Sequence, residues 1–139
     1  MIKPEVIARF EQLRDMATIA MATAGGLRPA VEHWREEAHK QETTFESAAR
    51  DYGRVEIRDG SPVRLITREK RVGNRITWTG EVELVPELAG LCADLLRVRG
   101  KLAVARERLD EANHRAAALR RVSDEAREAL QGLGWRGPR

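Results

Sequence analysis

Apolar residues recur at alternating steps of four and three through the first third of the chain. The positions are Val6, Phe10, Leu13, Ala17, Ala20, Ala24, Leu27, Val31, Trp34, Ala38, Gln41, Phe45, Ala48 and Tyr52, with Gln41 the one polar member. A stripe sustained at that period predicts a long helix with a coiled-coil seam. Pro4 followed by Glu5 suits a helix start, because the first turn needs no proline N–H and its positive dipole end favours a carboxylate. Gly53 suits the C-terminal stop. Gly25, Gly26 and Pro29 interrupt the stripe, yet its phase passes through them without a slip. That continuity favours one helix kinked near residues 25–29 over two separate helices.

The last third repeats the pattern at Leu88, Leu91, Leu95, Val98, Leu102, Ala105, Leu109, Ala112, Ala116, Leu119, Ser123, Ala126, Leu130 and Leu133. Pro86 and Glu87 open it, and Gly132 and Gly134 close it. Each tract would extend about 70 Å at 1.5 Å per residue. Folded back as an antiparallel hairpin, the pair sets large residues (Trp34, Phe45, Tyr52) against Leu88, Leu91, Leu95 and Leu102. Small ones (Ala17, Ala20, Ala24) then meet Ala112, Ala116 and Ala126.

Between the tracts the period changes to two. Residues 54–58 (RVEIR) precede the turn signal DGSP, and residues 63–72 and 75–84 flank the pair Gly73-Asn74, a two-residue hairpin signal. Pairing across that turn sets Val63 opposite Leu84, Arg64 opposite Glu83 and Leu65 opposite Val82. One face then carries Val63, Leu65, Thr67, Ile76, Trp78, Val82 and Leu84. The other carries Arg64, Arg68, Lys70, Arg75, Glu81 and Glu83, with Arg54 and Arg58 expected to join it and Arg71 near the turn. The predicted fold is therefore α+β and mostly α: a long antiparallel helical hairpin with a β-hairpin or three-strand meander inserted between its helices. It reads as one domain over 1–139, with helices over 4–52 and 86–131, the β insertion over 54–85 and a basic tail over 132–139.

Composition agrees with long exposed helices: 42% of the residues are hydrophobic, only 4% aromatic and 34% charged. The net charge of +3 is unevenly spread, with −2 over residues 1–53, +4 over 54–75 and +1 over 76–139. Seven cations, Arg54, Arg58, Arg64, Arg68, Lys70, Arg71 and Arg75, make the β insertion the candidate partner-binding element. A solvated face that keeps a small sheet from aggregating is the plainer explanation of the same residues. Extra apolar residues beside the seams, Ile7, Ile19 and Met21 on the first tract and Leu96, Val104 and Val122 on the second, are candidate oligomer contacts.

The single cysteine, Cys92, permits no internal disulfide and fits a reducing compartment. The apolar run over 16–24 is too short to span a bilayer, and the acidic Glu5, Glu11 and Asp15 ahead of it argue against a signal peptide. A cytoplasmic protein that does not enter membranes is expected. Two Glu-x-x-His pairs, Glu36 with His39 and Glu111 with His114, have the spacing of di-metal bundle sites. Their heptad positions point outward, so exposed helix residues are expected and no metal. Cys92 beside the seam reads as a semi-buried structural thiol, and His33 next to Trp34 has no evident acid–base partner. No phosphate loop or nucleophile elbow is present, so neither catalysis nor a cofactor is expected. A basic zipper is excluded because Gly73-Asn74 and Pro86 break the continuous helix it requires.

Helix, β-hairpin, helix at this length is similar in layout to a prefoldin chaperone subunit. It is also a composition met among phage and mobile-element products. Three functional readings follow in order. The first is a non-enzymatic, self-associating interaction protein, structural or inhibitory to a host protein, that offers the basic β tip to an acidic protein surface. The second is a nucleic-acid-binding protein using that tip and the WRGPR tail. The third, implied by the layout, is a prefoldin-like holdase.

Overall fold

The structure, a computed structural model, describes residues 2–137. Helix α1 (Pro4–Ala49) is followed by a 3-10 turn (Arg50–Tyr52) and strands β1 (Val55–Arg58), β2 (Ser61–Val72) and β3 (Arg75–Leu84). A second 3-10 turn (Pro86–Leu88) leads into helix α2 (Ala89–Gly132). Two long helices thus flank, in sequence, a three-stranded antiparallel sheet ordered β1-β2-β3. The expected fold class is the one observed. Helix α1 continues through Gly25, Gly26 and Pro29. Among the described residues no helix is long and apolar enough to cross a membrane.

The helix starts follow local chemistry. The carbonyl of Lys3 accepts from the Val6 and Ile7 amides, which places Pro4 at the first helical position, where its missing N–H costs nothing. Val85 plays the same part ahead of Pro86, accepting from the Leu88 amide at 3.0 Å.

The chain divides into two compact units, Met1–Glu32 with Val104–Arg139, and His33–Ala103. In the first, the two helical segments pair antiparallel through small seam residues. Phe10, Ala17, Ala24, Ala116, Ser123 and Leu130 are buried. The outermost predicted seam positions are not: Val6 and Leu133 are exposed, Leu133 lying already past the end of α2 at Gly132. The C-terminus of α2 is closed by a Schellman motif. Gly134 adopts φ +92°, the Gly134 amide donates to the Gln131 carbonyl at 3.0 Å, and the Trp135 amide donates to the Leu130 carbonyl at 3.0 Å. This lays the Trp135 ring edge-on against Phe10, with centroids 5.1 Å apart. Of the predicted basic tail, Pro138 and Arg139 lie outside the described residues.

The second unit holds the larger core. Phe45, Ala49, Val85, Leu88, Cys92 and Leu95 form a buried cluster, with Val55, Ile57, Leu91 and Leu96 packed against it. Arg99 and Glu42 bridge the two helical segments at 3.1 Å. Cys92 is more deeply buried than its place beside the seam suggested, being 1% exposed. The sheet explains the difference: the Cys92 thiol lies beneath the β1–β2 turn and donates to the Gly60 carbonyl at 3.6 Å. That turn is a two-residue Asp59-Gly60 connection with φ +50° and +77°. Both values suit the type I′ geometry that matches strand twist.

The β2–β3 register is the expected one, running from Val63↔Leu84 to Val72↔Arg75. The β1–β2 register overturns one assignment. Val55 pairs with Arg64, and Arg58 with Ser61. Residues directly opposite share a face, so Val55 and Ile57 lie on the Arg64 face. Arg58 lies with Ser61 and Val63, and by the same register Arg54 lies with Leu65. Arg54 and Arg58 therefore belong to the Val63 face and do not join Arg64 and Arg68. The physical reason is the tight Asp59-Gly60 turn, which sets the parity so that Val55 and Ile57 reach the helical core.

Candidate functional site

Pairing between β1 and β2 ends at Val55↔Arg64. From residue 65 to residue 82 the sheet is a two-stranded ribbon that only β2 and β3 build. One face of this ribbon carries Ile66, Arg68, Lys70 and Val72 from β2 with Arg75, Thr77, Thr79 and Glu81 from β3. The opposite face carries Leu65, Thr67, Glu69 and Arg71 with Ile76, Trp78, Gly80 and Val82.

The seven candidate cations are thus split between faces. Arg64, Arg68, Lys70 and Arg75 stay together, while Arg54, Arg58 and Arg71 share the face of Trp78. Most are paired. Arg64 meets Glu83 at 2.9 Å, Arg68 meets Glu81 at 3.1 Å, and Arg71 meets Glu69 at 3.6 Å. Arg58 and Arg54 both reach Glu56, at 3.1 and 3.9 Å. Among the described residues neither Lys70 nor Arg75 takes part in an ion pair. Once β3 folds back, Glu81 and Glu83 join the count, and residues 54–84 carry seven cations against five carboxylates, a net of +2. These exposed pairs contribute little to stability, about 0–1 kcal/mol each, so the ribbon's charge pattern is free to serve contact.

Periodicity alone did not reveal that the apolar face is uncovered. Ile76, Trp78 and Val82 are 51%, 67% and 49% exposed, and Leu84 on the same face is exposed as well. Alternation indicates which residues share a face, but not whether another layer lies against it. The sequence signal was the short β1: with only four residues it reaches no farther than Arg64, and its core-packed residues, Val55 and Ile57, lie on the opposite face of the sheet.

The other candidates are more dispersed. Leu96 packs against the core cluster of the second unit and Ile7 is half-buried. Ile19, Met21, Val104 and Val122 are exposed; they occupy heptad positions c, e, c and g and form no single row. Ile19 rims a 280 Å³ groove in the first unit, together with Met16, Ala20, Ala112 and Leu119. Glu36, His39, Glu111 and His114 are exposed. The His114 ring Nδ1 lies 2.7 Å from the Asp110 carbonyl, and His33 stacks edge-on with Trp34 at 4.8 Å. Among the described residues no three His, Cys, Asp or Glu side chains converge as a ligand set. Burial pushes the Cys92 thiol above its ordinary pKa, with the positive charge of Arg99 opposing the shift.

No protein family, no curated protein and no solved structure matches the chain. The likeness to a prefoldin subunit is one of element order alone.

Proposed function

We propose that the chain is a non-enzymatic interaction protein whose β2–β3 ribbon docks onto an acidic protein surface. The observation that carries this reading is the amphipathic ribbon itself: Ile76, Trp78 and Val82 exposed on one face, and on the other Lys70 and Arg75, which have no carboxylate partner among the described residues. An exposed cluster of large apolar side chains marks a surface that awaits cover. The surplus positive charge selects a partner of opposite sign.

A protein partner is favoured over a nucleic acid. Stacking on bases needs a free aromatic ring among cations. Trp78 stands directly opposite the carboxylate of Glu69, and Arg71, the ribbon cation on its face, is paired with that same carboxylate at 3.6 Å; Trp135, the aromatic of the tail, is engaged with Phe10.

The test is retention from nuclease-treated lysate on the immobilised full chain, compared with Trp78→Ala and with joint charge reversal at Arg64, Arg68, Lys70 and Arg75. An acidic protein retained by the native chain should be lost from both variants, while circular dichroism keeps its helical signal. Its retention should fall moderately with salt. Retention that nuclease abolishes, or that neither variant disturbs, would remove the ribbon from this role.

A further inference from the structure

We infer that β3 is a dimerisation edge: two copies of the chain pair through β3 in antiparallel register about a two-fold axis at Thr79, making one six-stranded sheet. The occupant of the edge is a second copy because the strand is complementary to its own reverse.

The phase of the free backbone groups comes first. The Val85 amide donates to the Pro62 carbonyl at 3.0 Å. Along an antiparallel ladder that phase alternates, so Glu83, Glu81, Thr79, Thr77 and Arg75 turn their N–H and C=O toward β2. Ile76, Trp78, Gly80, Val82 and Leu84 turn theirs outward, and among the described residues no strand lies on that side. Two of the usual edge protections are missing: no proline lies within β3, and its register with β2 shows no bulge over all ten pairs.

Reversing β3 on itself about Thr79 brings outward-pointing residues opposite one another. Ile76 meets Val82 and Trp78 meets Gly80 on the apolar face, where the indole covers the strip a glycine leaves bare. On the other face Arg75, which pairs with no carboxylate among the described residues, meets Glu83, the ion-pair partner of Arg64. Charge, shape and hydrogen-bond phase agree in this one register over the nine residues from Arg75 to Glu83. Centring on Trp78 instead shortens the paired run, and centring on Gly80 loses the Arg75–Glu83 pair. Because paired residues share a face, the dimer sets both copies of Arg64, Arg68, Lys70 and Arg75 on one side of the sheet. The edge pairing stands independently of which protein those cations meet.

The register makes a specific test possible. Thr79 would face its own symmetry mate as a non-hydrogen-bonded pair, with Cα atoms near 4.5 Å, within disulfide reach. The native Cys92 is buried and does not compete. Under mild oxidation Thr79→Cys should form an interchain disulfide at least about ten-fold faster than Glu81→Cys, whose mates lie beyond the about 7 Å limit. Light scattering should give the native chain a mass twice 15.7 kDa, and Val82→Pro, which removes one outward N–H, should give 15.7 kDa with its helical signal intact. A native chain that stays monomeric at tens of micromolar, or equal cross-linking of the two cysteine variants, would overturn the proposal. Val82→Pro remaining a dimer while folded would overturn it as well.

Discussion

Cys92 shows how one residue can report on the packing of two elements. Its thiol is enclosed by the core cluster and the Asp59-Gly60 turn, and burial holds its pKa above the ordinary 9.0 despite the charge of Arg99. A raised pKa means that the folded chain keeps the proton where the unfolded chain releases it. The contribution to stability is whole below about pH 9 and is lost as pH climbs through the folded value. Denaturant titrations should therefore show stability declining above pH 9. Cys92→Ala should cost about 1–3 kcal/mol at neutral pH through the cavity and lack that part of the decline. The native thiol should also react with a disulfide probe far more slowly than in denaturant.

At the scale of elements, the two glycines inside α1 are the clearest case of tolerated weakness. A Cβ built on Gly25 or Gly26 meets nothing within 4 Å, so neither glycine is there for close packing. Gly25→Ala and Gly26→Ala should each stabilise the chain by about 0.5–1 kcal/mol in chemical unfolding, since the helix interior rewards alanine over glycine. The helices were legible because the seam repeats a dozen times and a single error in phase would have thrown every later position onto the wrong face. Phe10, Ala17, Ala24 and Val31 are all buried as the repeat demands. The β2–β3 register was legible because Gly73-Asn74 permits one tight turn; Gly73 adopts φ +64°. Strand β1 was not, because four residues with charges at Glu56 and Arg58 carry too short an alternation to reveal which parity reaches the core. Exposure of the Trp78 face was equally hidden, since it depends on where the underlying layer stops. The Phe10–Trp135 contact could have been anticipated from Gly134, whose place just past the helix directs the next residue back along α2.

Across the whole molecule, two units each have their own buried residues, and α1 contributes a segment to both. Pro29 lies inside that helix and has no N–H, so the carbonyl of Gly25 lacks its helical donor. The consequence is kinetic. A helix with a gap in its ladder and two glycines beside it gives up protection there first, so the amides near residues 25–33 should exchange with deuterium faster than those of residues 10–20 or 36–48. The flanking segments should then open as separate cooperative blocks, each with its own free energy of opening. The block that shares the Phe45, Leu88 and Leu95 cluster should hold its protons longest, because it buries the larger apolar side chains. Uniform protection from Phe10 to Ala48 would show instead that α1 opens only when the entire chain does.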